Sequence, residues 1–256
     1  KAHGIDAFCY YHYWFAGRRV LDRVFEEVLR TGKPDFPFSL CWANENWTRA
    51  WDASEKEILL RQDYGVAERE AHIRFLVDAF LDERYVRIDG RPLFSFYRIQ
   101  ALPDAGTFVD RLREVSIARG AGDPYLVKFD THGLADDPAI HHCDAAAQFI
   151  PHGAHAVLDP VQVPGLTDGN LVYDYTELRD AFLDFPDPGW TRHRCVTPGW
   201  DNTSRRGDGR SLVFTGNTPE AYEEWLRGAR ARETEVVFVN AWNEWAEGNH
   251  LEPDQR

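Results

Sequence analysis

The sequence contains no methionine, and several features that mark common protein classes are missing or scarce. It opens at Lys1 with a predicted strand following almost at once, so we interpret it as a fragment whose natural start lies upstream. No apolar run approaches the length of a membrane span, and no signal-peptide pattern is present. The lack of an apolar run argues against membrane insertion, whereas a missing targeting sequence says little in a fragment. The cysteines, described next, favour a cytoplasmic protein.

Cysteine and basic residues are also scarce. The four cysteines, Cys9, Cys41, Cys143 and Cys195, include no CxxC pair. Cys9 and Cys41 lie in apolar, strand-like runs, where a reduced and buried thiol is expected. The 29 Lys and Arg stand against 42 Asp and Glu, which gives a formal net charge of −13. The sequence therefore predicts no basic surface for nucleic acid.

Motifs that bind phosphate groups or metal ions are missing as well. The chain has no GxGxxG turn and no P-loop, and it has no Asp-x-Asp of the kind that many nucleotide-sugar transferases use. His141, His142 and Cys143 are adjacent, which is a poor spacing for metal ligands. No nucleophile elbow is present. We therefore expect no metal and no cofactor.

Aromatic residues, by contrast, are abundant. The chain has nine Trp, ten Tyr and sixteen Phe, which is more than a core alone requires. Sugar rings have apolar C–H faces that stack on flat aromatic surfaces, whereas most of the Phe are expected in the core. The aromatic excess therefore favours a glycan site.

Short apolar runs alternate with amphipathic segments along the chain. The predicted strands are residues 5–15, 36–43, 92–98, 125–130, 145–150, 193–197 and 235–242. The predicted helices are residues 18–31, 67–84, 104–119, 175–185 and one that Thr218 caps and that runs to about Arg232. This alternation predicts βαβ units and a parallel sheet. An open doubly wound sheet is the alternative.

The fold class is accordingly predicted to be α/β. We expect one domain over residues 1–256, a (β/α)₈ TIM-like barrel that lacks its first strand through N-terminal truncation. The segment 151–174 carries few helix signals and is predicted to form an extended βα loop.

Polar and aromatic residues recur where the predicted strands end, which is the edge where barrel enzymes have their sites. The residues predicted to contact a sugar are Tyr10, His12, Trp42, Asn44, Glu45, Trp47, Asp130, His132, His152, Trp200, Asp201, Trp242 and Asn243. Each alone has a structural explanation, since strand-end Asn and Asp satisfy turns. Glu45 fits a salt bridge to Arg49 equally well. Arg205 and Arg206 fit a solvated loop better than an anion site.

Glu244 and Glu247 form the most specific pattern. If the chain turns after Trp245, carboxylates three positions apart lie on one side, and Gly248 makes such a turn easy. Two such carboxylates can hold different pKa values, one ionised as a base and one protonated as an acid. Glycosidic cleavage needs that division of labour, so we predict that this pair is catalytic. Two surface glutamates on a solvated loop are the alternative.

Four stretches of the sequence resemble a known family: FCYYHYWF (8–15), CWANENWTRAWD (41–52), PGWDNTSRR (198–206) and NAWNEWAEGNHLEPD (240–254). They are similar, in matching order, to the WbsX family of bacterial polysaccharide-biosynthesis proteins, which belongs to the glycoside hydrolase family 99-like barrels. In that family a first strand and loop precede the segment that begins here.

The resemblance implies a barrel that processes an oligosaccharide or polysaccharide. Family 99 enzymes cleave α-mannosidic linkages with retention, and their WNEW-x-EG motif matches Glu244 and Glu247. The resemblance implies that Glu244 acts as the base on the sugar 2-hydroxyl, through a 1,2-anhydro-type intermediate, and that Glu247 is the acid/base.

Three functions stay open at this point. The first is a retaining hydrolase or transglycosidase that acts on an α-linked bacterial polysaccharide. The second is a glycosyltransferase of O-antigen or lipopolysaccharide biosynthesis that uses a nucleotide- or lipid-linked sugar. The third is a non-catalytic glycan-binding barrel. The sequence predicts neither the sugar nor the oligomeric state.

Overall fold

The structure of the chain, a computed structural model, describes residues 2–49, 54–132, 135–163, 169–206, 211–232 and 235–253. Motif residues 50–52 and 254 lie outside this range. The chain forms two compact units. The first unit comprises residues 1–47, 60–129 and 136–146, and the second comprises 48–59, 130–135 and 147–256. A single domain over residues 1–256 stays a prediction.

Strands and helices alternate along the chain. The strands are β1 (Phe8–Phe15), β2 (Arg18–Val20), β3 (Phe38–Trp42), β4 (Trp47–Arg49), β5 (Ser54–Leu60), β6 (Arg87–Ile88), β7 (Arg91–Phe96), β8 (Tyr125–Asp130), β9 (Ala145–Gln148), β10 (Leu171–Asp174), β11 (Arg192–Val196), β12 (Leu212–Thr215), β13 (Val237–Val239), β14 (Asn243–Glu244) and β15 (Asn249–His250). The helices are α1 (Arg23–Thr31), α2 (Val66–Phe80), α3 (Ala105–Ala118), α4 (Ala154–Val157), α5 (Tyr175–Asp184) and α6 (Pro219–Arg230). Short 3₁₀ turns span Ile99–Ala101, Pro138–His141 and Trp245–Glu247. The seven predicted strands are confirmed as β1, β3, β7, β8, β9, β11 and β13, most with shorter bounds.

The first unit is built on a parallel sheet. Strand β3 pairs in parallel with β1 and with β7, and β7 pairs in parallel with β8. The short strands β2 and β6 add antiparallel to β1 and β7. Side chains of β3 and β7 are buried together with the apolar sides of α1, α2 and α3 in one core. The predicted mixed α/β fold with parallel strands is therefore confirmed.

The predicted start of the first helix at Arg18 is wrong. Ala16 and Gly17 both have positive φ, 49° and 78°, which is the geometry of a tight two-residue hairpin turn. The chain therefore folds back, and Arg18 pairs with Phe15 in β2. Helix α1 begins only at Arg23 and ends before Gly32, whose φ of 69° gives it a left-handed C-cap.

The second unit contains two parallel strand pairs. Strand β11 pairs with β13, and β10 pairs with β12. Helix α4 and strand β10 both lie in the segment that the sequence predicted to be a loop, so that prediction is wrong for residues 154–157 and 171–174. Helix α5 starts where the Asp174 carboxylate accepts hydrogen bonds from the backbone of Thr176 and Glu177. Helix α6 has the predicted Thr218 cap, which accepts from the Ala221 N–H.

All four cysteines are free, and Cys41, Cys143 and Cys195 are buried. Cys9 is exposed, which corrects the prediction of a buried thiol. The reason is its position on β1, because its neighbour Tyr10 packs on Phe25 of α1 and so takes the side that faces the helices. Among the described residues, no helix combines the length and apolarity that a membrane crossing requires.

Two histidines are buried together in the core of the first unit. His12 Nε2 lies 2.9 Å from His72 Nε2, so one ring donates and the other accepts. Phe75 stacks on His12 and Trp14 stacks on His72, which excludes water from both rings. Burial lowers the pKa of His12 to about 3 and the pKa of His72 well below its ordinary value.

This histidine pair predicts acid sensitivity of folding. Both rings stay neutral in the folded chain, whereas the unfolded chain binds protons at them below about pH 6.5. Stability is thus complete above pH 6.5 and falls as the pH drops toward 3, by roughly 2 kcal/mol for each histidine at pH 5. Urea unfolding at pH 7 and pH 5 measures this loss of unfolding free energy. The double variant His12→Leu/His72→Leu should no longer show the loss that comes from the two histidines. His155→Gln, on an exposed face of α4, should keep it, and an unaltered dependence in the double variant would contradict the assignment.

Candidate active site

The two glutamates of the last motif lie on a tight turn in the second unit. Glu244 ends β14, and residues Trp245–Glu247 form a 3₁₀ turn that Gly248 closes at a φ of 57°. Strand β15 then returns antiparallel, with Asn249 opposite Glu244. In 3₁₀ geometry residues three apart eclipse each other, so Glu244 and Glu247 lie on one side. The turn that the sequence predicted after Trp245 is present, and it already begins at Trp245.

A neighbouring loop, residues 201–206, is attached to this turn. The Asp201 N–H donates to the Glu247 carbonyl at 2.8 Å, and Ser204 Oγ donates to the Ala246 carbonyl at 3.0 Å. A Cβ on Gly248 would lie 3.0 Å from the carbonyl oxygen of Asp201, so only glycine permits this approach. Hydrogen bonds to the backbone of the turn therefore fix the position of the loop.

Arg205 brings the loop's positive charge to both carboxylates. Its Nη1 lies 2.9 Å from Glu247 Oε1 and 3.8 Å from Glu244 Oε1. The Glu247 side chain is 20% exposed and that of Glu244 is 41% exposed. The two acids therefore converge on one cation and differ in their access to water.

The environment pushes the pKa values of the two acids upward. Burial raises the pKa of Glu247 to about 7; Arg205 opposes that shift, the charge of Glu244 adds to it and Arg206 opposes it. Burial also raises the pKa of Glu244 above its ordinary value, and Arg205 opposes the rise. A carboxyl group with a pKa near 7 can donate a proton at neutral pH. The pair therefore has the electrostatics of one acid and one base.

Trp245 presents an open aromatic face beside the pair. Its ring stacks on His250 at 3.6 Å between centroids, and its Nε1 donates to Glu252 Oε2 at 2.8 Å. The residue is nevertheless 44% exposed. The indole is thus fixed from one side and accessible from the other.

Several predicted sugar contacts of the first unit lie in its core or pack against it. Tyr10 packs on Phe25 of α1, and His12 belongs to the buried histidine pair. Trp42 is 2% exposed, and Asn44, at 0%, exchanges two hydrogen bonds with the backbone of Arg98. His12, Trp42 and Asn44 are buried, whereas Tyr10 is half-buried against the core.

Two other predicted contacts of the first unit remain accessible. Glu45 forms its ion pair with Arg98, and the side chain of Arg49, the alternative partner, lies outside the described atoms. Trp47 is half-buried and stacks on Tyr13, with ring centroids 5.4 Å apart.

In the second unit, the structure brings together the two predicted histidines. The rings of His132 and His152 lie 4.5 Å apart, and Phe149 lies 5.2 Å from His152. His132 has a φ of 54°, the left-handed conformation, directly after β8. Asp130, at the end of β8, is half-buried, and its charge acts on the half-buried guanidinium of Arg192.

The remaining predicted residues surround the turn to different degrees. Asp201 accepts from both the N–H and the hydroxyl of Thr203, so its carboxylate holds the loop. Trp200 is buried, Trp242 is half-buried and Asn243 is exposed. Within the part of the chain that the structure describes, no group of three or more His, Cys, Asp or Glu side chains could hold a metal ion.

Comparison with protein families places the chain. The family model described as glycosyltransferase WbsX matches residues 1–256. The chain belongs to the WbsX family. This WbsX-family chain is also 33% identical over 265 residues to the protein WxcX from two strains of Xanthomonas campestris pv. campestris, B100 and ATCC 33913. The match covers the whole chain and 38% of the length of each relative, so the chain spans little more than a third of these proteins.

Solved structures share the fold of the WbsX-family chain. A glycoside hydrolase-like protein superposes with a TM-score of 0.63 at 15% identity, over 97% of this chain and 74% of that one. The family 99 endo-α-mannosidase from Bacteroides thetaiotaomicron, in complex with bis-tris-propane, superposes with a TM-score of 0.54 at 14% identity, over 97% and 68%. At these identities the superpositions show a shared fold.

Sequence reasoning passed over two groups of residues in this WbsX-family chain. Arg205 was assigned to a solvated loop, although it contacts both glutamates. Tyr11 and Tyr13 were passed over in favour of Tyr10 and His12, although Tyr11 is the exposed one. The sequence shows a basic residue, Arg205, and an acidic motif, but it does not show that they are partners. It also shows the two-residue period of β1, but not which side of that strand faces the helices.

Proposed function

We propose that this chain carries the catalytic pair of an enzyme that cleaves or transfers at an α-glycosidic bond with retention. Glu244 is the base and Glu247 is the acid/base. The observation that carries the proposal is the convergence of both carboxylates on Arg205 at one tight turn, with burial raising the pKa of Glu247 to about 7. One carboxyl group is thereby suited to donate a proton and the other to accept one.

The proposed reaction has two steps. Glu244 takes the proton of the sugar 2-hydroxyl while O2 attacks C1, and the bond from C1 to the leaving oxygen breaks as Glu247 protonates that oxygen. The product is a 1,2-anhydro sugar and the free leaving group. Ionised Glu247 then takes a proton from water or an acceptor hydroxyl, whose oxygen attacks C1. The C1–O2 bond of the anhydro ring breaks, and O2 regains its proton from Glu244. Two inversions at C1 give net retention.

This chemistry restricts the sugar. Attack by O2 from the face opposite the leaving group requires the 2-hydroxyl and the glycosidic oxygen to be trans and both axial. An α-linked sugar of manno configuration, such as mannose or rhamnose, has that arrangement. We therefore propose an α-mannan- or α-rhamnan-type bacterial polysaccharide as the substrate class, and a (β/α)₈ barrel as the complete fold, which the parallel strands of each unit support.

The test is the configuration of the first-formed product. Oligosaccharides of α-mannan and α-rhamnan are incubated with the chain, and the anomeric protons are followed by NMR. The expected first product is the α-anomer. The Glu244→Gln/Glu247→Gln variant controls for contaminating glycosidases. A β-anomer as first product would reject the double-displacement course.

The family description favours glycosyl transfer from a nucleotide sugar as the second candidate function. Calorimetric titration with nucleotide sugars separates the two candidates. Micromolar binding of a nucleotide sugar, together with no release of sugar from oligosaccharides, would favour transfer. Affinity for glycans without any turnover, unchanged in the double glutamine variant, would indicate a binding module.

A further inference from the structure

One side of strand β1 is accessible in the first unit. Along this strand, His12 and Trp14 are buried on the side of the helices. Tyr11 has the opposite parity and is 42% exposed, and Cys9 is exposed on the same side. The sheet therefore has one face that the helices cover and one on which aromatic side chains reach solvent.

Four rings on the accessible side contact one another and form what we name the aromatic strip: Tyr11, Tyr13, Trp47 and Tyr97. Tyr13 and Trp47 stack with centroids 5.4 Å apart and planes 15° apart. Tyr11 lies 6.3 Å from Tyr13 and meets Tyr97 edge-to-face at 6.1 Å. The rings are thus held by one another, which limits the conformational freedom that a ligand would have to remove.

The register of the sheet explains how the strip forms. Tyr11 on β1 is opposite Cys41 on β3, and Cys41 is opposite Ser95 on β7. Strands β1 and β7 are two strand spacings apart, about 9.6 Å. The rings of Tyr11 and Tyr97 still meet because the small side chain of Cys41, which is 3% exposed, lies between their strands. Small residues at the centre therefore let large rings extend across the sheet.

Tyr11 is partly enclosed by its neighbours, although 42% of it is exposed. Burial raises the pKa of its phenol well above the ordinary value, and the neighbouring Cys41, Tyr97, Tyr13 and Cys9 add to the rise. Its ring is held by Tyr13 and Tyr97 and still reaches solvent. Sites lined by aromatic side chains with a few polar groups are typical of small-ligand binding.

Polar groups are present at the edge of the strip. The ion pair of Glu45 and Arg98 follows the ends of β3 and β7, one residue beyond Tyr97 and two residues before Trp47. The strip itself combines phenol hydroxyls with flat rings, and aliphatic residues on the same face of the sheet, such as Leu93 and Val127, are buried. This composition fits a ligand with apolar faces and hydroxyl edges better than an aliphatic protein surface.

We propose that the aromatic strip binds a neutral hexopyranose or 6-deoxyhexopyranose of the glycan, whose C–H face stacks on Tyr11 and Trp47. The proposal rests on the proposed function only in taking the ligand to be a glycan. It requires no charge on the sugar, since the strip has no charged side chain and the nearby Glu45 and Arg98 already neutralise each other. The Glu45–Arg98 pair supplies acceptors and donors for the sugar hydroxyls.

The test is calorimetric binding of α-mannan and α-rhamnan oligosaccharides to the whole chain carrying Glu247→Gln, which suppresses turnover. Tyr11→Ala and Trp47→Ala should each weaken binding about tenfold, because each removes an apolar ring face of roughly 60 Å². Tyr11→Phe should bind within about twofold of the parent, because the ring is retained. Ile117→Ala, an exposed apolar truncation on α3 of the same unit, should not change the Kd.

Thermal unfolding accompanies each titration, and Tyr11→Leu replaces the alanine variant if that variant does not fold. Unchanged affinity in the ring-removing variants would overturn the proposal, as would a parent chain that binds neither oligosaccharide. Equal losses in Tyr11→Phe and Tyr11→Ala would assign the effect to the hydroxyl and overturn stacking. Loss of binding in the ring variants, together with normal turnover when the glutamates are replaced, would reject the acid pair and leave the strip established.

Discussion

Glu247→Gln is expected to reduce the release of sugar from α-mannan or α-rhamnan oligosaccharides by about 10²–10⁴-fold, the usual contribution of a general acid–base group. Glutamine keeps the size of the side chain and removes the titrating proton. The loss should be much smaller on an aryl glycoside with a good leaving group, because such a leaving group departs without protonation. Initial rates on both substrate types measure the difference.

Glu244→Gln should lose activity on both substrate types, because a base on the 2-hydroxyl is needed whatever the leaving group. Glu223→Gln is the matched control, since this exposed glutamate of α6 pairs with Arg227 away from the turn. Its rates should equal those of the parent chain. Undiminished release by Glu247→Gln would show that the turn has no part in the chemistry.

Arg205→Gln is expected to move the whole pH–rate profile upward by about one unit, because an opposite charge within about 4–6 Å typically lowers a carboxyl pKa by that amount or more. The base Glu244 must be ionised, so its pKa sets the acidic limb. The acid Glu247 must be protonated, so its pKa of about 7 sets the alkaline limb. Removing the cation raises both values, and both limbs shift in the same direction.

Profiles of kcat/KM against pH for the parent, Arg205→Gln and Arg205→Lys test this expectation. Lysine keeps the positive charge, so its limbs should stay within a few tenths of a unit of the parent. Arg227→Gln, on exposed α6, controls for loss of charge elsewhere. If Arg205→Gln lowered kcat/KM but left both limbs of the pH profile in place, the role of Arg205 would be structural only.

Local signals in the sequence were sufficient for most of the helices and for the turn of the acid pair. Thr218 with Pro219 marked the start of α6, because a capping hydroxyl and a residue without an N–H both suit the first turn. Gly248 marked the turn that brings Glu244 and Glu247 to one side, because its positive φ is open to glycine. Each signal lies within a few residues of the feature that it predicts.

The face of β1 could not be read from the sequence. Both sides of this strand carry aromatic rings, with Tyr10 and His12 on one side and Tyr11 and Tyr13 on the other. Alternation therefore does not show which side packs on the helices. The answer depends on Phe25 of α1, which packs on Tyr10, and that contact is tertiary. The predicted site therefore contains Tyr10 and His12, which lie on the side of the helices.

Features that depend on distant partners were missed for the same reason. The sequence predicts a loop where β10 lies because the segment 151–174 carries few helix signals, and the partner strand β12 lies beyond helix α5 and strand β11. Arg205 carries no sign in the sequence that its loop is hydrogen-bonded to the turn of the glutamates. Non-local pairing decided both outcomes.

Gly248 has a consequence for the electrostatics of the pair. Because its main chain touches that of Asp201, the separation between the acids and the loop of Arg205 is preset by backbone and is independent of how long side chains rotate. The guanidinium of Arg205 therefore lies beside both carboxylates before a sugar binds. A residue with no functional group therefore fixes the charge environment in which the proton transfers would occur.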